Sequence, residues 1–334
     1  MTKALILGGS GFIGLSLVRA LLARGRDSVI AVDDQSRGAL DAEAKAVFED
    51  ARVTFIAADL TDPAAFDRLP TDIDEIYLLA GIVGVKYTIE APDRVLRVSA
   101  MIILNTLEWW RRHGKGRLLY SSSSEAYGGG LPVLPNFPIP TPEGAPIIIP
   151  DITNVRFSYA AVKTFGEACI QAYAQRYRLP AVVVRYHNVY GPRMGYEHVI
   201  PELSLRLLRA ERPFLLYGAD QTRAFCHVSD AVAATIAAMT HADAHPPIYH
   251  IGNETEEVRI AELFDRLQAV AGIRARDVKL LDAPRGSPQR RCPDTTRMRK
   301  ELHIEPKIGL DDGMRATFAW YRDRHPDGRI PAGR

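Results

Sequence analysis

Tyr159 and Lys163 stand four residues apart in a stretch that reads as helix, so both lie on one face. A free phenol has a pKa of about 10 and is a poor base near neutrality. An ammonium group beside it favours the phenolate and lowers that value. Such a pair can take the proton of an alcohol while the alcohol's carbon gives up hydride. Tyr-x-x-x-Lys by itself is common. It equally describes two solvated or half-buried helix residues.

A second pattern gives the pair its weight. Gly8-Gly9-Ser10-Gly11-Phe12-Ile13-Gly14 follows a short apolar run, Ala4-Leu5-Ile6-Leu7, and opens a helical pattern. In such a turn one glycine permits the tight bend and another the close approach of a pyrophosphate. A third permits close packing of helix on strand. The helix N-terminus then offers free N–H groups and the positive end of its dipole to phosphates. A glycine turn alone is a weak signal. Here Asp33 lies 19 residues beyond Gly14, at the end of a second strand pattern. That is the place of an acid that binds a ribose 2′-hydroxyl. A carboxylate there would repel a 2′-phosphate, so the expected cofactor is NAD rather than NADP. Asp59-Leu60, after the third strand pattern, fits contact with the adenine edge; a helix N-cap role for Asp59 fits nearly as well.

Short strands alternate with helices through the first half of the chain. Strand patterns cover residues 4–7, 29–32, 54–57, 75–79, 117–120 and 181–185. Helical patterns cover 13–24, 95–112 and 159–177. This alternation predicts an α/β fold: a doubly wound, Rossmann-type parallel sheet with helices on both faces. Residues 128–150 are rich in Pro and Gly and read as a loop over the site. Beyond Pro192 the alternation weakens. Helices near 201–210 and 260–271 suggest a smaller C-terminal α/β substrate domain. The expected division is an NAD-binding domain at 1–185 with a returning segment near 224–252, and a substrate domain mainly at 186–334.

The 334 residues carry a formal net charge of +2, so no basic field points to nucleic acid. The three cysteines lack metal or disulfide spacing, and no metal site is expected. No apolar run reaches membrane-spanning length, and the first is too short for a signal peptide. The expected setting is the cytoplasm, away from membranes.

Together the motifs resemble those of the extended short-chain dehydrogenase/reductase family, the nucleotide-sugar epimerases, dehydratases and decarboxylases. The resemblance spans nearly the whole chain. It rests on Gly8 to Gly14, Asp33, Ser121-Ser122-Ser123-Ser124-Glu125-Ala126-Tyr127-Gly128 and Tyr159-x-x-x-Lys163. It also rests on Arg185-Tyr186-His187-Asn188-Val189-Tyr190-Gly191-Pro192-Arg193, on residues 222–230 and on residues 249–253. One departure is Ser99, where the family usually has Asn beside the nicotinamide.

The resemblance implies NAD as cofactor, held by Gly8, Gly11, Phe12, Ile13, Gly14, Asp33, Asp59, Leu60, Ala80, Tyr159 and Lys163. It implies a nucleotide-diphosphate sugar as substrate, with a UDP-sugar favoured, and a 4-keto intermediate. Ser123 then hydrogen-bonds the sugar C4 oxygen, Tyr159 is the base, and Lys163 tunes Tyr159 and binds ribose. Asn188 and Arg223 match positions that bind the sugar nucleotide and its diphosphate. Bland readings stand beside these: a turn residue for Asn188 and a surface salt bridge for Arg223.

The step after oxidation turns on fewer residues. Ser123-Ser124-Glu125 resembles the Thr-Ser-Glu of UDP-glucuronate decarboxylases, and also the triplet of GDP-mannose 4,6-dehydratases. Arg156, three residues before Tyr159, resembles the Arg-x-x-Tyr of the decarboxylases. Arg291-Cys292-Pro293 resembles their Arg-x-Pro, whose Arg approaches the sugar acid. The expected reaction is therefore decarboxylation of the UDP-glucuronate type. Simple 4-epimerisation comes next and 4,6-dehydration third. Glu125 could instead only bond backbone, Arg156 cap the loop, and Arg291 bind diphosphate. A non-catalytic NAD-sensing protein is a minor alternative, since such proteins typically lose the Tyr/Lys pair. Family members commonly form homodimers through two long helices per subunit, here the 95–112 and 159–177 patterns.

Overall fold

The apolar runs of the first half become the strands of one sheet in the computed structural model, which describes residues 2–26, 28–36, 40–113, 115–241, 247–284 and 286–330. They are β1 (Lys3–Leu7), β2 (Ser28–Asp33), β3 (Val53–Ala57), β4 (Glu75–Leu78), β5 (Arg117–Ser123) and β6 (Ala181–Tyr186). The helices among them are α1 (Phe12–Ala23), α2 (Ala42–Phe48), α3 (Val85–Glu90), α4 (Pro92–His113), the single turn α5 (Gly130–Val133) and α6 (Ser158–Tyr177). The second half adds the strands β7 (Val189–Tyr190), β8 (Phe214–Tyr217), β9 (Thr222–Ala224), β10 (Cys226–His227), β11 (Ile248–Ile251), β12 (Glu257–Arg259), β13 (Val278–Leu281) and β14 (Arg290–Arg291). Its helices are α7 (Val199–Leu208), α8 (Val228–Thr240), α9 (Ile260–Ala271), α10 (Thr296–Glu301) and α11 (Leu310–Arg324).

The large sheet runs β11-β6-β5-β4-β1-β2-β3, with every neighbouring pair parallel. Strand order reverses between β1 and β4, and ligands of such sheets bind outside the strand ends at that switch point. Successive side chains of a strand face opposite ways. Leu5 and Leu7 of β1 accordingly pack with Ile102 and Leu107 of α4 and Val162 and Ile170 of α6. Ala4 and Ile6 pack with Leu17 and Val18 of α1 and Ala231 and Val232 of α8. A third cluster joins α7, α9 and α11 around Ile200, Phe264 and Phe318. Among the described residues no helix is long and apolar enough to cross a membrane.

Several boundaries differ from the sequence expectation, each for a physical reason. The fifth strand does not stop at Tyr120. Its backbone continues through Ser121, Ser122 and Ser123, which pair with Val184, Arg185 and Tyr186. Serines carry no strand signature, yet the ladder needs only their peptide groups. The fourth strand ends at Leu78, and the amides of Leu79 and Ala80 turn instead to the Leu7 carbonyl. α4 begins at Pro92, three residues early, where a proline's missing N–H costs nothing. Residues 128–150 are irregular apart from α5. Thr141 accepts from the Asp294 amide at 2.8 Å and donates its own amide to the Cys292 carbonyl at 2.9 Å.

Candidate active site

The glycine turn lies at the switch point. A Cβ on Gly14 would stand 2.0 Å from the Gly8 carbonyl oxygen, so α1 packs directly on the turn only because the side chain is missing. Gly8 has φ +97° and presses against the backbone of Ala80. Gly11 caps α1 without a side chain, and no acidic residue occupies the helix's first turn. Phe12 and Ile13 are partly buried and pack their side chains against the core. A cleft opens here, at the end of the strands. Gly8, Gly11, Asp33, Asp59, Leu60 and Ala80 all line it.

Asp33 sits at the end of β2 and accepts from the amides of Ser10 (3.0 Å) and Gln35 (2.8 Å). Burial raises its pKa, and those amide bonds oppose the rise. Asp59 does not cap a helix. It accepts from the Thr61 amide and hydroxyl, and Asp62 caps the 3-10 turn at Pro63–Arg68. Ser99 is buried on α4 beside Gly81, which itself lines the cleft. This cradle fits a dinucleotide. Changing Asp33 to Asn should relax the preference for NAD over NADP, measured as the ratio of their dissociation constants. Tighter binding of NADP by the unaltered protein would contradict the assignment.

α6 brings the Tyr159–Lys163 pair to the end of β5. Gly166 makes this possible, since a Cβ there would stand 2.2 Å from the Tyr120 hydroxyl. Lys163 is buried, and its Nζ donates to the Ser121 carbonyl at 2.6 Å. The same ammonium lies 5.6 Å from the centre of the Tyr159 ring. Burial lowers the Lys163 pKa to about 8, and Glu167 opposes the fall. Ser123 ends β5 and caps the 3-10 turn Ser124–Tyr127 by accepting from the Glu125 amide at 3.3 Å. Ser124 is buried within that turn.

Glu125 lies between two guanidinium groups. Arg291 Nη1 is 3.0 Å from its Oε1, and Arg156 Nη1 is 3.5 Å from its Oε2. Burial alone would raise the Glu125 pKa, but Arg291 and Arg156 hold it at about 2. Arg291 arrives on β14, which pairs with β9 so that Arg291 stands opposite Arg223. Arg223 donates to the Thr222 carbonyl, Gln221 Oε1 and Ser287 Oγ. Arg291 Nη2 is buried without an acceptor among the described residues. Asn188 adopts φ +38°, which Asn tolerates, and its Nδ2 donates to the Ala224 carbonyl at 2.9 Å. Its side chain therefore ties the start of β7 to β9.

Two residues received no individual role in the sequence reading. Arg193, from the second half, donates to the Ser10 carbonyl at 2.9 Å and pairs with Asp41 at 3.1 Å. Nothing in its spacing points to the glycine turn. Glu167 lies one helical turn beyond Lys163, and that i,i+4 spacing was readable. Among the described residues no cluster could hold a metal ion.

The sequence model of the NAD dependent epimerase/dehydratase family matches residues 4–252. UDP-N-acetyl-alpha-D-glucosaminuronate decarboxylase of Bacillus cytotoxicus is 31% identical, over 97% of this chain and 99% of its own. UDP-glucuronic acid decarboxylase 5 of Arabidopsis thaliana is 30% identical, over 93% of this chain and 87% of its own. Among solved structures, dTDP-glucose 4,6-dehydratase of Streptomyces venezuelae, with NAD bound, superposes with a TM-score of 0.86 at 26% identity. It covers 97% of this chain and 98% of that one. UDP-glucose 4-epimerase of Thermotoga maritima gives 0.83 at 26% identity, over 97% and 99% of the two chains. The sheet order, the glycine cradle and these matches agree: the chain belongs to the NAD dependent epimerase/dehydratase family.

Proposed function

We propose that the protein decarboxylates a UDP-hexuronate through a 4-keto intermediate. The observation that carries this reading is the Glu125–Arg291–Arg156 cluster beside Ser123, with Arg223 next to it. Two guanidinium groups hold one carboxylate and a third, Arg223, stands near them, a surplus of positive charge that suits a diphosphate and a sugar carboxylate. Arg291 Nη2 is a buried donor without an acceptor among the described residues. Such a group is costly until an acceptor reaches it, and a uronate oxygen would serve. The two decarboxylases named above act on nucleotide-linked uronates by their names, and they are more similar in sequence than the epimerase or dehydratase.

NAD held over the Gly8–Gly14 turn and Asp33 would supply the acceptor and source of the C4 hydride. Tyr159 takes the C4 hydroxyl proton, Lys163 supports the phenolate, and Ser123 hydrogen-bonds the C4 oxygen. The resulting ketone lies two carbons from the carboxylate carbon. Loss of CO2 breaks the C5–C6 bond and leaves its electron pair on the C4 oxygen, held by Ser123 and the protonated Tyr159. A proton from water then closes C5. Glu125, with its pKa near 2, stays ionised at working pH and is no proton donor. Its part is to hold Arg291 against the sugar acid and to orient water. Both Glu125 oxygens are occupied by arginines, which a purely structural role also explains. Simple 4-epimerisation is therefore the second reading.

The cofactor is assigned to residues 1–185 with the returning segment 224–252, and the sugar nucleotide mainly to 186–334. Support comes from α8 packing on α1 and from β11 extending the large sheet. The three cysteines are free, which fits a cytoplasmic setting.

A homodimer through α4 and α6 completes the proposal. The two helices pack on each other, and Leu96, Leu104 and Phe165 on them are exposed. Two such pairs would form a four-helix interface. Sedimentation at micromolar concentration should show a dimer, and Leu104→Glu with Phe165→Glu should shift it to monomer. Monomer alone for the unaltered protein would contradict the interface.

A further inference from the structure

A buried ion pair lies beneath the Tyr159–Lys163 site, and the oxidation chemistry above does not use it. Glu167 of α6 and Arg185 of β6 are both almost wholly shielded from solvent. Arg185 grips the carboxylate with Nε at 2.9 Å and Nη2 at 2.7 Å. The third contact of that carboxylate is the Ser122 hydroxyl, which donates to the same oxygen as Arg185 Nε. Ser122 lies between Ser121, whose carbonyl receives the Lys163 ammonium, and Ser123. Arg185 is fixed from its other side. Nη1 donates to the Glu143 carbonyl at 2.9 Å, and the guanidinium stands 5.4 Å over the Tyr127 ring.

We propose that Glu167 and Arg185 are positioning residues for the oxidation site, with Glu167 holding Lys163 charged and fixing the Ser121–Ser123 backbone, and Arg185 setting how much of that charge Lys163 feels. The groups around Lys163 are the Tyr120 ring and the Ser121 carbonyl from β5 and the Tyr159 ring from α6, with Glu167 one helical turn further along the same face of α6 and Arg185 of β6 gripping Glu167. Glu167 is the charged side chain among them that favours the ammonium. A lysine buried this deeply loses its proton readily unless a negative charge stands near. A carboxylate fully neutralised by Arg185 would do less, and one left alone in the core would cost the fold more. A bidentate pair whose carboxylate lies one helical turn from Lys163, on the same helix face, satisfies both demands. The long loop is the anchor: Glu143 receives Arg185 on its carbonyl and the His250 amide on its carboxylate at 3.1 Å.

The test reads Lys163 itself, so it does not depend on which sugar the enzyme uses. Protein carrying isotope-labelled lysine is titrated by NMR, with the Lys163 signal identified from a Lys163→Met variant. Glu167→Gln keeps the shape and should lower the Lys163 midpoint by about one pH unit. Glu167→Gln with Arg185→Met removes both charges, and its midpoint should fall between the single variant and the native protein. An unchanged midpoint in either variant, in protein that melts cooperatively, overturns the proposal. If the single variant does not fold, the double variant decides; a double variant that also fails to fold overturns it, because the pair's role would then be stability alone. The kinetic counterpart is a matching acid shift in the alkaline limb of bound-NAD reduction. A decarboxylase reading that proved wrong would leave the lysine titration untouched, so the two fail separately.

Discussion

Tyr159→Phe is expected to stop the reaction at its first step, before any reduced nicotinamide forms. The variant loses one oxygen and keeps the ring, which packs against the core cluster on the α4–α6 side of the sheet, so the fold should survive. Without the phenol no group takes the C4 proton as hydride leaves. General-base contributions are typically about 10²–10⁴-fold, and the loss should fall in that range. The check is the absorbance of reduced nicotinamide after a nucleotide sugar is mixed with NAD-loaded protein. Normal NADH formation by a folded Tyr159→Phe protein would take Tyr159 out of the mechanism.

Glu125→Gln should separate oxidation of C4 from the loss of CO2. The change keeps size and removes charge from a carboxylate that two arginines hold. NAD should still be reduced on mixing with substrate. The protein should then stall with a 4-keto sugar, or form product about 10²-fold more slowly, as expected when a positioning contact is lost. If Glu125 only supports the fold, the outcome differs. Breaking a buried ion pair costs roughly 3–5 kcal/mol. Glu125 is partly exposed, so its cost would be smaller, and lower stability would take reduction and product formation together. A Glu125→Gln protein that melts normally and makes product at full rate would remove Glu125 from the mechanism and favour 4-epimerisation.

What could be read from the sequence was local. The glycine turn, Asp33 at the end of β2 and the four-residue spacing of Tyr159 and Lys163 are each set within one strand–turn–helix unit or one helix. The apolar runs of β1, β2 and β6 carried the sheet because burial on both faces leaves their central positions apolar, whereas β3, at the sheet edge, is only half-buried and includes the exposed Thr54. The rest depends on pairing between distant segments. Arg291 meets Arg223 only because β14 lies beside β9, and meets Glu125 only because the fold brings that strand to the turn that follows β5. Three serines hid the last residues of β5, although Ser123 is where the sugar oxygen is expected. The turn residues of 128–150 announced a loop. They could not show that Thr141 would bond to both Cys292 and Asp294 and so hold the segment that bears Arg291.

The most direct measurement of the central claim is the product formed from UDP-glucuronate and its 2-acetamido counterpart by purified, NAD-loaded protein, identified by mass and NMR. Decarboxylation predicts a UDP-pentose from at least one of them, with release of CO2 and no net change in NAD. A product of unchanged mass with inverted C4 would contradict decarboxylation and show the enzyme to be a 4-epimerase.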